Sequence, residues 1–151
     1  MLALPIRQRR VRRTDFDAVC AVLAASGLPT PARERGALRR FRRLVADLGA
    51  DLYLAERGAT VLGLVHVTYT RHLSRPSRAC IELLAVAPAV RGQRIGRRLV
   101  ALVVARAQRR GCVALRYSVA PGDDGARAFL ARTGWRSCGE QFEFDLADPA
   151  Q

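Results

Sequence analysis

The sequence predicts an α/β domain in which a mixed central β-sheet of about six or seven strands is flanked by about four α-helices. Three observations carry that prediction. Residues 51–69 alternate with period two around a break at Arg57 and Gly58, the pattern of an antiparallel hairpin. Residues 81–99, IELLAVAPAVRGQRIGRRL, pass from a short apolar run through a basic, glycine-bearing turn into a helical pattern. A strand, helix, strand order then continues to about residue 119, and that order calls for a parallel neighbour by right-handed crossover.

Taken in order, Leu4–Val11 alternates loosely and reads as a first strand. Thr14, followed by Asp15, Phe16 and Asp17, supplies an N-cap and acidic first-turn residues for a helix to about Ala25. Its inner face carries Phe16, Val19, Cys20 and Leu23, and Ser26, Gly27 and Pro29 end it. Pro31 suits the first turn of a second helix reaching about Leu48, with Leu38, Phe41, Val45 and Leu48 inward. The opposite face is Arg33, Arg35, Arg39, Arg40, Arg42 and Arg43, which reads as a solvated helix surface.

After Gly49 come strands over Asp51–Glu56 and Thr60–Tyr69, a polar loop over Arg71–Arg78, and a strand over Cys80–Val86. Pro88 stops that strand, because it has no amide hydrogen and a fixed φ. A helix over Arg97–Arg110 buries Leu99, Leu102, Val103 and Ala107 and closes on Gly111. Cys112–Val119 reads as a strand, and the turn Pro121–Gly125 opens a short helix to Thr133. Trp135–Leu146 supplies one or two last strands, and 146–151 is a short tail. One domain over 1–151 is long enough to bury a core.

The formal net charge is +13, and all 26 basic residues are arginine. Charge concentrates in two blocks, with net +8 over residues 1–43 and net +9 over 91–136, while 137–151 is net −4. That asymmetry suits an anionic ligand in one place and a cationic group in another. The one aromatic among the arginines of residues 33–43 is Phe41, which the helical spacing turns inward, so no aromatic surface accompanies them and nucleic acid is not the expected partner. The cysteines Cys20, Cys80, Cys112 and Cys138 lack close pairing, so neither a disulfide framework nor a metal site is expected. No stretch reaches the length of a membrane span and the N-terminus lacks a signal-peptide pattern, so a cytoplasmic protein is the expectation.

The turn after residue 86 carries chemistry. First-turn amides of a helix have no internal acceptor, and the macrodipole adds positive charge there. Glycines permit close backbone approach, and Arg91 and Arg94 add full charges, so a phosphate-bearing ligand is expected.

The segment LAVAPAVRGQRIGRRL resembles the pyrophosphate-binding motif of the GCN5-related N-acetyltransferase superfamily, V-x-P-x-x-R-G-x-G-I-G-x-x-L, at Val86, Pro88, Arg91, Gly92, Ile95, Gly96 and Leu99. GARAFLARTGW resembles the second signature, A-x-x-F-Y-x-x-x-G-F, at Ala126, Phe129 and Gly134, with Trp135 for the last aromatic. The resemblance implies an enzyme that moves acetyl from acetyl-CoA to a primary amine, by direct attack on the thioester and without a metal. It implies that backbone groups of Leu84, Ala85 and Val86 pair with the pantetheine arm. Amides of Arg91, Gly92, Gln93, Arg94, Ile95, Gly96 and Arg97 would cradle the pyrophosphate. The acceptor would be a small-molecule amine or a peptide or protein amine, drawn by Glu140, Glu143 and Asp145, and a homodimer is compatible with it.

Two positions depart from the pattern. Arg94 replaces the central glycine, and its amide can serve the ligand if φ there stays negative. Leu130 replaces the usual tyrosine acid, and Asp123 stands where that residue's asparagine partner is frequent. Tyr117 or Tyr69 could protonate the leaving thiolate instead. Glu82, interrupting an apolar strand, is the expected general base, as a buried carboxylate sharing one strand side with Leu84 and Val86. His66, His72 and Cys80 are secondary candidates. The alternative is a non-catalytic acyl-CoA-binding or regulatory domain of the same fold.

Overall fold

The structure, a computed structural model, describes residues 4–31, 34–141 and 143. Two compact units divide the chain, Met1–Ser118 and Val119–Gln151. The first contains β1 (Ile6–Arg10), α1 (Phe16–Ala25), α2 (Ala37–Ala46), β2 (Ala50–Arg57), β3 (Thr60–Thr70), β4 (Arg78–Val86), α3 (Ile95–Arg109) and β5 (Leu115–Tyr117). The second contains α4 (Asp124–Arg132).

Five strands form one sheet in the order β1-β2-β3-β4-β5, antiparallel through β4 and parallel between β4 and β5. The sheet is mixed, as the sequence predicts, but has five strands among the described residues rather than six or seven. Residues 135–141 and 143 form no strand, and Gly139 at φ 106° is incompatible with a regular one. The remainder of the expected last strands and the tail lie outside the described residues.

Alternation along the strands sends side chains to two faces. Leu52, Leu54, Leu64 and Ala85 pack with Val19, Val22 and Leu23 of α1 and Phe41 of α2. Phe16 and Phe41 meet with ring centroids 5.3 Å apart. The opposite face takes α3, whose buried stripe is Ile95, Leu99, Val103 and Ala107. Gly63 on β3 makes that approach possible. A Cβ there would lie 3.0 Å from the Ala85 carbonyl and 3.1 Å from both Ile95 and Leu99.

Several element ends move from their expected positions. Asp15, not Thr14, stands at the N-cap of α1; its carboxylate binds the Arg12 amide at 2.6 Å and Arg9 at 2.7 Å. The second helix begins at Ala37, after left-handed Gly36, and ends at Ala46. Leu38 and Leu48, expected inward, are 39% and 86% exposed, and Leu44 packs inward with Val45 and Phe41. The strand expected over 112–119 is only Leu115–Tyr117. Cys112 instead closes α3, its amide bonding the Ala107 carbonyl across left-handed Gly111.

Asp51 is the one buried charged residue among those described, with no exposed surface. It accepts hydrogen bonds from Arg10, from the Tyr69 hydroxyl at 2.8 Å and from Arg106 Nε at 3.2 Å, with Arg110 Nε at 3.8 Å. Arg110 also lies 4.0 Å over the Tyr69 ring. One carboxylate thereby joins β1, β2, β3 and the end of α3.

Candidate acyl-transfer site

Between β4 and β5 the ladder runs only from Ala79–Leu115 to Ile81–Tyr117. Beyond Ile81, β4 continues to Val86 against β3 alone among the described strands. The other side of β4 from Glu82 to Val86 is therefore an open strand edge, suited to an extended polar ligand that adds like a strand.

A β-bulge marks the point of divergence. His66 pairs with Leu83 and Val67 with Ile81, which leaves Glu82 as the extra residue. The bulge reverses the alternation. Ala79 and Ile81 share the α3 face, whereas Leu83 and Ala85 pack on the α1–α2 face. Glu82 accordingly does not share one side with Leu84 and Val86. It is exposed rather than buried, and its Oε1 accepts a hydrogen bond from the Thr68 hydroxyl at 2.6 Å.

Backbone direction on β4 follows from one bond. The Ala87 amide donates to Leu62 on β3 at 2.9 Å. Ala85, two residues back, likewise turns its amide and carbonyl to β3, so Leu84 and Val86 present theirs at the open edge. The expected trio is thus reduced to these two. The Val86 carbonyl also accepts from Arg91 Nε at 3.3 Å and Ser26 Oγ at 3.4 Å. Arg91 is therefore folded back on the strand end.

The turn into α3 supplies the second half. The Arg91 amide bonds Pro88 and the Gln93 amide bonds Val90, so both are spent inside the turn. Among the described residues, the amides of Gly92, Arg94, Ile95, Gly96 and Arg97 have no acceptor. These five donors at a helix N-terminus without a side-chain cap match a phosphate-bearing anion. Gly92 at φ 83° and Arg94 at φ 61° are both left-handed, a conformation that swings neighbouring amides to a common side. The condition of a negative φ at Arg94 is not met, yet its amide still has no acceptor within the turn. Arg94 is the one non-glycine residue with positive φ among those described, and it serves as the N-cap of α3.

The remaining candidates fall around the divergence. Tyr117 ends β5 opposite Ile81, on the α3 face, while Cys80 and Ser118 lie on the other, with Sγ and Oγ 4.0 Å apart. Burial, aided by the Glu82 charge, pushes the Cys80 thiol above its ordinary pKa. His66 shares the face of Thr68; burial lowers its pKa, and the charges of Glu82 and Asp47 oppose that shift. Its Nε2 is buried without a hydrogen-bond partner among the described residues. His72 is exposed in the loop after β3. Burial and the bond to Asp51 both raise the Tyr69 pKa, and that hydroxyl is committed to the Asp51 network.

In the second unit, Asp123 caps α4 by accepting from the Ala126 amide at 2.9 Å. Leu130 is half-buried, and its carbonyl accepts from Trp135 across left-handed Gly134. Glu140 and Glu143 are exposed, and Asp145 lies outside the described residues. No group of three or more His, Cys, Asp or Glu able to hold a metal occurs among the described residues. No described helix is long and apolar enough to cross a membrane.

Thr68 was not singled out by the sequence. The polar residues at alternate positions His66, Thr68 and Thr70 were the available signal, since they mark the strand side that Glu82 joins after the bulge.

Comparison with known proteins agrees with this architecture. The Acetyltransferase (GNAT) family model matches residues 21–135, and the chain belongs to that family. No curated protein matches the sequence. Among solved structures, a transcriptional regulator from Bacillus halodurans C-125 is 24% identical, with 94% of this chain and 100% of that chain covered and a TM-score of 0.81. An aminoglycoside N-acetyltransferase in complex with CoA is 12% identical, with 93% and 94% covered and a TM-score of 0.79. Glucosamine-6-phosphate N-acetyltransferase from Arabidopsis thaliana is 15% identical, with 94% and 99% covered and a TM-score of 0.78. At these identities the likeness is one of fold.

Proposed function

We propose that residues 1–151 form a single acetyl-CoA-dependent N-acetyltransferase domain that moves an acetyl group to a primary amine. The observation that carries the reading is the open edge of β4 leading directly into five unsatisfied amides at the start of α3. An extended polar arm ending in a diphosphate has the shape and charge of that track, and CoA is such a molecule. Acetyl-CoA supplies an activated thioester. The chain's part is to hold it and to manage two protons.

Leu84 and Val86 would pair through their backbone groups with the pantetheine arm. Gly92 and Arg94–Arg97 would bind the pyrophosphate through their amides, with Gln93 and Arg91 shaping the turn. Asp123 joins the cofactor-binding set through the resemblance of residues 125–135 to the second signature. Glu82 is the proposed base. A primary alkylamine is protonated at neutral pH, so Glu82, held by Thr68, would take its proton directly or through one water. The amine nitrogen then bonds to the acetyl carbon as the carbon–sulfur bond breaks, and its second proton passes to solvent. Tyr117, on the last β5 residue, is the proposed donor to the departing sulfur in place of Leu130. Direct transfer, rather than transfer through Cys80, is supported by the raised pKa of that thiol, which leaves it protonated at neutral pH.

The test is CoA release from acetyl-CoA with a panel of small amines and peptides, together with calorimetric CoA binding. Glu82→Gln is expected to lower turnover about 100-fold at pH 7 with CoA affinity unchanged. An unaltered pH–rate profile in that variant would remove Glu82 as the base. Binding of acetyl-CoA without turnover of any amine favours the alternative, an acyl-CoA-binding or regulatory domain, whose supporting observations are Arg94 and Leu130 at the two departures from the family pattern.

A further inference from the structure

Arg57 ends β2 and pairs across the hairpin with Thr60. A second bulge, where Ala55 pairs with Gly63 and Glu56 with Val61, leaves Leu62 of β3 as the extra residue and brings Val61 to the α1–α2 face, while β2 alternates regularly and puts Glu56 on that same face. Arg57 is left on the face that carries α3. Its Nη2 donates to the side-chain oxygen of Gln93 at 3.1 Å. Its guanidinium therefore lies one glutamine side chain away from the turn that presents the five unsatisfied amides.

Two further facts make this arginine unusual. Its Nε is buried without a hydrogen-bond partner among the described residues. No carboxylate pairs with it among those residues, because the neighbouring Glu56 is bound to Arg9 at 2.9 Å. A guanidinium carries five N–H donors, and only one bond is made here, to a neutral amide oxygen. The buried Nε–H without an acceptor is costly unless a ligand supplies one. The acceptor best matched to a planar arginine fork beside a helix N-terminus is a phosphate oxygen.

We propose that Arg57, positioned by Gln93, is a phosphate-binding residue of the cofactor site, contributed by β2 rather than by the turn itself. This rests on the reading that the turn binds CoA. CoA offers two sources of phosphate oxygen, the diphosphate and the 3′-phosphate, and the experiment separates them. Wild-type protein and the variants Arg57→Gln, Arg57→Lys and Gln93→Ala are titrated calorimetrically with CoA and with 3′-dephospho-CoA. KM is measured for acetyl-CoA and for acetyl-pantetheine, which lacks phosphate.

Arg57→Gln is expected to weaken CoA about 10-fold or more, with Arg57→Lys intermediate and Gln93→Ala milder and non-additive with it. The KM for acetyl-pantetheine stays unchanged, which a merely structural role would not produce. A loss that persists with 3′-dephospho-CoA assigns Arg57 to the diphosphate, and a loss that vanishes assigns it to the 3′-phosphate. Equal affinity of wild type and Arg57→Gln for both ligands overturns the proposal and leaves the function standing. Failure of the wild type to bind CoA overturns the function and this proposal together.

Discussion

Arg94 shows how a single side chain can be recognised as exceptional in a sequence while its backbone conformation is left open. A left-handed L-residue costs about 1–2 kcal/mol, and a glycine relieves that cost while adding about 0.5–1 kcal/mol of unfolded-state entropy. Arg94→Gly should therefore raise stability by a few tenths to about 1 kcal/mol, measurable as a small rise in Tm, with the turn unchanged. His66 gives a second residue-scale prediction. Burial lowers its pKa, so near pH 6 the unfolded chain binds a proton that the folded chain resists, and stability falls as pH drops through the ordinary histidine range near ~6.5. Denaturant midpoints at pH 7.5, 6.5 and 5.5 should fall more steeply for the wild type than for His66→Gln. Glu82 was legible as a carboxylate in the right strand. Its exposure was not, because a bulge depends on pairing with β3 rather than on β4's own sequence.

The elements were read most successfully where their own periodicity is strong. The β2–β3 hairpin, the β4 run and the apolar stripe of α3 are recoverable to within one or two residues. Failures fall where tertiary pairing sets the ends. Cys112 looks like strand but is spent on closing α3, and β5 stops at Tyr117 where β4 departs from it. Leu48 lies beyond the observed end of the second helix and is exposed, whereas Leu38 lies inside it but to one side of the inward stripe, which is centred on Ala37, Phe41 and Leu44. The contact of α3 with β3 is also an element-scale property. Replacing Gly63 with Ala would thrust a methyl against the Ala85 carbonyl, Ile95 and Leu99. We expect a stability loss of about 1–3 kcal/mol and a higher KM for acetyl-CoA with little change in kcat, because the displaced helix carries the amides of the turn. Chemical denaturation and steady-state kinetics would check both parts.

Across the whole molecule, element order and two spaced signatures were enough to identify the family, since neither depends on exact boundaries. The tie that joins the sheet to α3 was invisible. Asp51 reads as the polar start of an ordinary strand, and only the fold brings Arg10, Tyr69, Arg106 and Arg110 to it. Asp51→Asn should cost about 3 kcal/mol, at the lower end for a broken buried pair because the arginines reach water. The loss should be similar in the presence and absence of CoA, as measured by urea unfolding.

The bulge at Glu82 also governs how the chain can change length. The register with β3 already passes from Ile81 to Leu83 over this extra residue, so deleting Glu82 would leave Leu83–Val86 on their present faces, whereas deleting the paired Leu84 would shift the rest of the strand by one position. Ala85 would then face α3, and Val86 would exchange its open edge for β3. One-codon deletions should be tolerated in the loop over 71–77 and purged between residues 83 and 86, and deletion of Glu82 should leave the fold and CoA binding intact, a boundary that a deletion library sorted for CoA binding would map.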